Sequence, residues 1–386
     1  MSPAFDLIVV GGGPAGSSCA RRAAELGLKT VVLERSTFPR PKPCAAGLSG
    51  KALALLDGDE APIEHRRFRT TVISFGRDLS LMVESRDSLL VTTTRGELDG
   101  LLVRLAAAAG ARMDFGRPVD AIDEGRDRVR VRAGADVLEA SFAVVADGAR
   151  GGGRAMLGLS PLTLGGGIYV RLRPGSEGGL EEHARTSLVD PVATRRGYGW
   201  IFPKRDHLNV GVFSQRGLSS GLKKDLSAFL ELRGLSGWDA EGPFAFPIPV
   251  DRPDDALGTE RVLFAGDAAG LVDPVTGEGI SSAILSGRVA AEVVALAHDT
   301  ARTHGPTRES APGAYVRRVR EEVLPMTDGS RRKGAVAYGL GLGFFRFVVR
   351  APILRSLVRP AWQAASRGGG SLRFSVVERD SEGGVR

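Results

Sequence analysis

The chain opens on a short apolar run, Leu7-Ile8-Val9-Val10, that passes directly into glycines. An unbroken aliphatic run of this length predicts a strand buried on both faces, as in a parallel sheet. Behind it Ala20, Ala23, Ala24 and Leu26 predict a helix, Gly27 ends it, and Thr30-Val31-Val32-Leu33 predicts a second strand. An apolar strand running into small residues returns twice. Residues 142–146 precede Asp147-Gly148, and residues 262–265 precede Gly266-Asp267. After the second, a loop leads to a long helix with Ile280, Ala283, Ile284, Gly287, Ala291 and Val294 on one face. In 197–212 the period changes: Tyr198, Trp200 and Phe202 alternate, which predicts a strand with one aromatic face. Pro203 ends that strand, and 208–213 pairs with it.

Chemistry enters at the turns. Gly11, Gly13 and Gly16 form G-x-G-x-x-G around Ala15, between strand and helix. Glu34, followed by Arg35, closes the next strand 18 residues after Gly16. Gly11 permits the tight turn, Gly13 lets a pyrophosphate approach the backbone, and Gly16 lets the helix lie close to the strand. The helix amino terminus favours phosphate charge. Glu34 can accept from both ribose hydroxyls, which disfavours a 2′-phosphate. The motif in this setting predicts a dinucleotide site but does not choose between NAD and FAD.

Asp267 ends a parallel strand, where ligands of such sheets bind. It is placed to hold a ribityl hydroxyl. Pro274 fixes the following loop, and Gly277, Gly279 and the helix start at Ile280 offer N–H groups to a flavin edge or phosphate. Asp147 ends the other strand in the same manner.

Composition narrows the partners. The chain has 386 residues, a net charge of +7 and two cysteines. That excludes a disulfide framework, and no Cys/His spacing points to zinc or another metal. A reducing cytoplasm is expected. No signal peptide and no apolar run of about 18 residues is visible. The charge favours acidic partners or an anionic membrane face, and no aromatic-basic interleaving points to nucleic acid.

The three glycine and aspartate motifs, in this order, resemble the flavoprotein fold of para-hydroxybenzoate hydroxylase. The resemblance implies FAD. It implies that Arg95, opening the helix of "RGELDGLLVRLAAAAGA", contacts the cofactor phosphates or ribose. A cation at a helix start is otherwise unfavourable beside the dipole. It also implies that Val119, expected on the strand after that helix, offers backbone groups to adenine. The fold class expected is α/β: a Rossmann-type FAD-binding domain, an inserted, mainly antiparallel β-sheet substrate domain, and a helical C-terminal part. The boundaries expected are FAD-binding parts at 1–70, 95–165 and 256–300, substrate-domain parts at 71–94 and 166–255, and a C-terminal region at 301–386.

Two segments identify a branch of this fold. "RPKPCAAGLSG", residues 40–50, and "GYGWIFPKRDHLNVGV", residues 197–212, resemble the geranylgeranyl reductase family. Its members typically carry a Lys-Pro-Cys-Gly-Gly-Gly-like loop and a Tyr-x-Trp-x-Phe-Pro motif followed by Val-Gly. The resemblance runs from Phe5 to about Arg320. It implies that the loop of Cys44, Ala45 and Gly47 touches the flavin, with Cys44 as proton donor or shaping group near the reacting double bond. Lys42 is placed to lower the thiol pKa. Cys19, among helical alanines, reads as an inert small hydrophobe. Tyr198, Trp200 and Phe202 give a long apolar ligand contact area at little entropic cost, although such rings are equally at home in a sheet core.

The family's Pro-Gly-Gly before the Tyr is Arg195-Arg196-Gly197 here, two cations suited to a phosphate or diphosphate head group or to solvent. The function implied is an FAD-dependent reductase saturating C=C bonds of a geranylgeranyl-type isoprenoid chain, with NAD(P)H or ferredoxin as reductant. An aromatic monooxygenase of the same fold and a non-catalytic flavin- or prenyl-lipid-binding protein are the alternatives. A halogenase is disfavoured, because no Trp-x-Trp-x-Ile-Pro signature occurs. Finally, 329–377 lacks acids. There Arg346, Arg350, Arg355 and Arg359 alternate with apolar residues around Pro352, as in an interfacial helix broken in two or a cap on the core. The first of these two readings predicts peripheral contact with the inner face of the membrane.

Overall fold

The computed structural model describes residues 4–174, 179–215, 217, 220–255, 257–303, 310–327 and 373–378. The chain forms two compact units: one from 1–42, 95–164 and 248–330, the other from 43–94, 165–247 and 331–386.

The first unit is built on a seven-stranded sheet. Arg112–Phe115, Thr30–Glu34, Phe5–Val10, Asp136–Val145 and Val262–Phe264 run parallel in that order. Val129–Ala133 and Ala121–Glu124 extend it antiparallel along the first half of Asp136–Val145. That strand is longer than its apolar half suggests, because its first residues are solvent-facing and carry no buried run. Register pairs Leu7 with both Thr30 and Phe142. Ile8, Val31, Val144 and Leu263 are fully buried, each stabilising the unit by about 1.5–3 kcal/mol.

Helix Pro14–Glu25 lies on the sheet and against helix Ile280–Thr303. The approach is close because Gly287 faces Ala15: a Cβ on Gly287 would sit 2.1 Å from the Ala15 carbonyl oxygen. Helix Ile280–Thr303 is long and apolar enough to cross a membrane, but most of its apolar stretch is buried in this unit, as in a core helix. Tyr315 on helix Ala311–Arg318 donates to the Phe264 carbonyl at 2.8 Å. Cys19 is fully buried in the same core, which pushes its thiol far above the ordinary range, so it is inert.

The second unit holds an eight-stranded sheet in the order Asp239–Pro249, Leu164–Arg173, Leu208–Ser214, Gly197–Pro203, Ser187–Asp190, Thr70–Ser74, Leu79–Glu84 and Arg373–Glu378. Of its assigned pairings only that of Ser187–Asp190 with Thr70–Ser74 is parallel. Helix Ser220–Leu232 covers part of one face, packing Leu222, Leu226 and Phe229 with Ile168, Val170, Ile201, Val210 and Val212. A small sheet of Gly47–Ser49, Leu90–Thr92 and Arg66–Phe68 completes the unit.

The division differs from the sequence expectation at three places, the smallest being that 248–255 fall in the first unit. Residues 43–70 pack with the second unit, because Gly47–Ser49 pairs with Leu90–Thr92. The helix at Ala311–Arg318 packs in the first unit, anchored by Tyr315. The basic stretch with Arg346, Arg350, Arg355 and Arg359 lies outside the described residues.

Candidate functional site

The glycine loop is shaped as its spacing demands. Gly11 has φ +100°, donates to the Leu33 carbonyl at 2.9 Å, and faces the Ala146 carbonyl, 2.6 Å from where a Cβ would sit. A Cβ on Gly16 would lie 1.8 Å from the Gly11 oxygen. Gly13 is different: near its Cβ position the closest atom is an Arg40 guanidinium nitrogen at 3.7 Å. The backbone there is open to a close-approaching group. Gly13 is also the N-cap of the 12-residue helix, with no side-chain cap and no acid in the first turn. That is an anion-binding helix start.

Glu34 is buried at the strand end. One carboxylate oxygen accepts from Gly12 N–H at 2.7 Å and the other from Ser36 N–H at 2.9 Å. Arg95 is buried rather than solvated, with a bidentate pair to Asp99 at 2.7 and 2.9 Å. Arg40 places a second guanidinium nitrogen 3.3 Å from Asp99. The Arg40 Nε is buried with no hydrogen-bond partner among the described residues. Two guanidinium groups therefore share the buried Asp99 carboxylate, and Arg40 Nε also lies 3.8 Å from Glu34 Oε1, so Arg40 stands between two carboxylates beside the open glycine backbone. Asp99 stands four residues after Arg95, a helical ion-pair spacing present in the sequence. Arg40 carried no sequence signal and was missed.

Lys42 sits 4.0 Å from Asp267. Burial, with Arg95 and Arg40, holds its ammonium below the ordinary lysine range, against the attraction of Asp267 and Asp99. Asp267 follows Gly266, whose N–H donates to Ser286 Oγ at 3.0 Å. The next loop closes on buried Asp273, which accepts from Val275 N–H at 2.9 Å and Thr276 N–H at 3.2 Å. Gly277, at φ +63°, donates to the Asp273 carbonyl at 2.8 Å. This loop holds Pro274, Gly277 and Gly279 ahead of Ile280, where the long helix begins.

Asp147 turns into its own glycine run. One oxygen accepts from Gly153 N–H at 2.9 Å, the other is buried without a partner among the described residues, and burial raises its pKa. Arg35 is exposed. The strand expected to carry Val119 ends at Phe115. Val119 lies in the segment beyond it, partly buried against the core.

These residues fit FAD. The uncapped helix start, the open backbone at Gly13 and the Arg40 Nε, which makes no hydrogen bond among the described residues, suit a diphosphate, and Glu34 suits a ribose.

The second constellation belongs to the other unit. Cys44 is partly exposed, and its Sγ accepts from Ala46 N–H at 3.3 Å. Ala46 adopts φ +47°. The loop carbonyls are held from the large sheet: Asn209 Nδ2 donates to Cys44 O at 3.3 Å, and Lys204 Nζ to Ala45 O at 2.7 Å and Ala46 O at 2.9 Å. Trp200 Nε1 donates to Asn209 Oδ1 at 2.8 Å. Trp200 is almost fully buried over Gly211, whereas Tyr198 and Phe202 are half-buried, their ring centroids 6.0 and 6.4 Å from that of Trp200. Trp200 is thus a core anchor flanked by two accessible rings. A Cβ on Gly47 would meet Phe202 at 3.0 Å and Leu90 at 2.9 Å, so the loop's last glycine makes room for the aromatic strand. Arg195 and Arg196 are exposed, and Arg196 takes φ +57° where the family has glycine. Lys204 and Asn209 were missed as site residues, though both stand in the stretch 197–212.

Residues 4–170 match the FAD binding domain family. The structure is similar to a geranylgeranyl bacteriochlorophyll reductase-like protein from Thermoplasma acidophilum, with a TM-score of 0.77 and 24% identity over 89% of this chain and 90% of that one. Fold and glycine cradle together define an FAD-binding oxidoreductase. The chain is 31% identical to a digeranylgeranylglycerophospholipid reductase of Methanothrix thermoacetophila, over 82% of this chain and 83% of the relative. It is 30% identical to a menaquinone reductase of Mycolicibacterium smegmatis, over 76% and 77%. The chain belongs to the geranylgeranyl reductase family of FAD-dependent enzymes.

Proposed function

We propose that the protein saturates C=C bonds of a geranylgeranyl-type isoprenoid chain carried by a prenyl lipid, a quinone tail or a prenyl diphosphate. The observation that carries this reading is the joint construction of the thiol loop and the aromatic strand. Asn209 ties Cys44 O to Trp200, and Gly47 admits the Phe202 ring. A thiol and a row of rings held as one piece suit an extended apolar ligand better than a compact polar one. Relatives named for digeranylgeranylglycerophospholipid and for menaquinone support the same substrate class.

When bound, FAD supplies hydride chemistry. Gly11, Gly13, Gly16, Glu34, Arg40, Arg95 and Asp267 would hold it. Tyr198 and Phe202 orient the chain, and orientation is the main contribution asked of the protein. Cys44, or a water beside it, gives the proton to the second alkene carbon. The sequence shows no second dinucleotide fingerprint, so a nicotinamide reductant would visit rather than own a domain; ferredoxin is the other donor. In this reading the protein works in the cytoplasm, with its basic tail against the inner membrane face.

The test is anaerobic. The yellow protein is reduced and offered prenyl lipids, and products are weighed. Hydrogen gain supports the reductase. Turnover that requires oxygen and adds an oxygen atom supports the monooxygenase, and binding without turnover supports a carrier.

A further inference from the structure

We infer that Lys204 is a positioning residue that holds the Cys44 loop in its reactive shape. The inference rests on the proposed reaction for its catalytic consequence and on geometry for the rest.

The loop bends through Ala46, at φ +47°. An L-residue with a Cβ is disfavoured in this left-handed region. The family loop has glycine there, and this chain has alanine. Something must hold the bend. The Ala46 carbonyl accepts from Thr93 N–H at 3.1 Å and from Lys204 Nζ at 2.9 Å, and Lys204 also takes the Ala45 carbonyl at 2.7 Å. Lys204 is only 1% exposed. Charge-assisted hydrogen bonds from a buried ammonium are among the stronger a loop can receive. Asn209 adds a bond to the Cys44 carbonyl. Three consecutive carbonyls are therefore bound by two side chains of one hairpin. Lys204 follows the aromatic strand directly at Pro203, so the loop is fixed to the same strand that carries Tyr198 and Phe202. The thiol's direction depends on this bend, because Ala46 N–H is the donor that Sγ accepts.

The test is a cycle of two substitutions in the FAD-loaded protein, read by amide hydrogen exchange of 44–48 and by steady-state kinetics. Lys204→Met keeps the volume and removes the donors. Loop exchange should accelerate at least about tenfold. The kcat should fall about tenfold or more with KM for the prenyl chain within about twofold, since the rings that bind the chain are untouched. Adding Ala46→Gly to Lys204→Met should recover about fivefold in exchange protection and part of kcat, because glycine reaches the bend without the penalty. Lys204→Gln, which keeps a shorter donor, should fall between and serves if the Met variant does not fold.

An unchanged loop in Lys204→Met and Lys204→Gln, or no recovery on adding Ala46→Gly, would overturn the clamp. Exchange is read independently of turnover. A loosened Lys204→Met loop rescued by Ala46→Gly, beside a wild-type protein inactive on prenyl lipids, would support the clamp and overturn the reaction. A rigid loop in an active Lys204→Met enzyme would do the reverse.

Discussion

The glycine loop at 11–16 and the thiol loop at 44–47 both turn through left-handed backbone, at Gly11 with φ +100° and at Ala46 with φ +47°. They are held in opposite ways. In the glycine loop two of the three glycines answer to backbone crowding nearby: Gly11 to Ala146, Gly16 to Gly11. In the thiol loop the strained residue has a side chain, and distant polar groups, Lys204 and Asn209, hold it. A loop held by missing atoms is broken by adding one. A loop held by hydrogen bonds is broken by removing a partner.

The contrast is sharpest within the glycine loop itself. Gly16→Ala would put a methyl 1.8 Å from backbone oxygen, so the helix must move off the strand. Overpacking of this kind costs about 1–3 kcal/mol or more, and both melting temperature and flavin content should fall. Gly13→Ala is the partner experiment. Its methyl meets only Arg40, at 3.7 Å, so the protein should fold normally. Flavin affinity should still drop about tenfold or more, because the close backbone approach to the diphosphate is lost. Melting curves and flavin titration separate the two; equal loss of stability in both would erase the distinction.

The same logic explains what could be read from the chain. The parallel strands, Gly11, Gly13, Gly16 and the aromatic alternation were legible, because glycine and period mark backbone geometry locally. Arg40, Lys204 and Asn209 were not, because a buried cation or amide is justified only by partners brought in by folding. Asp99 lay between these cases: its spacing from Arg95 was visible, but its second cation was not. Residues 43–70 were placed with the wrong unit for a similar reason. Three short strands, Gly47–Ser49, Arg66–Phe68 and Leu90–Thr92, pair across distance and show little period of their own.

Smaller effects probe the thiol side. Ala46→Gly alone should raise stability by up to about 1 kcal/mol, since it relieves the left-handed strain against a looser unfolded chain. A lower melting temperature would deny that strain. Least in size is a pH effect in the hairpin turn at His207. Burial, with Lys204 and Arg171, holds this imidazole below its ordinary value of 6.5 against the pull of Asp206. The folded ring stays neutral where the unfolded chain takes up a proton. Its contribution is therefore full above about pH 6.5 and is lost as pH falls toward the folded value. His207→Asn should flatten the acid side of a stability–pH curve, and an unchanged slope would assign that dependence elsewhere.

The most direct measurement is a single turnover without oxygen. Fully reduced, FAD-loaded protein is mixed with excess geranylgeranyl lipid while flavin absorbance and product mass are followed together. The account predicts that the yellow colour returns in step with product, one double bond saturated per flavin oxidised. Flavin that stays reduced while lipid is bound, or that reoxidises without hydrogen appearing on the chain, would contradict it.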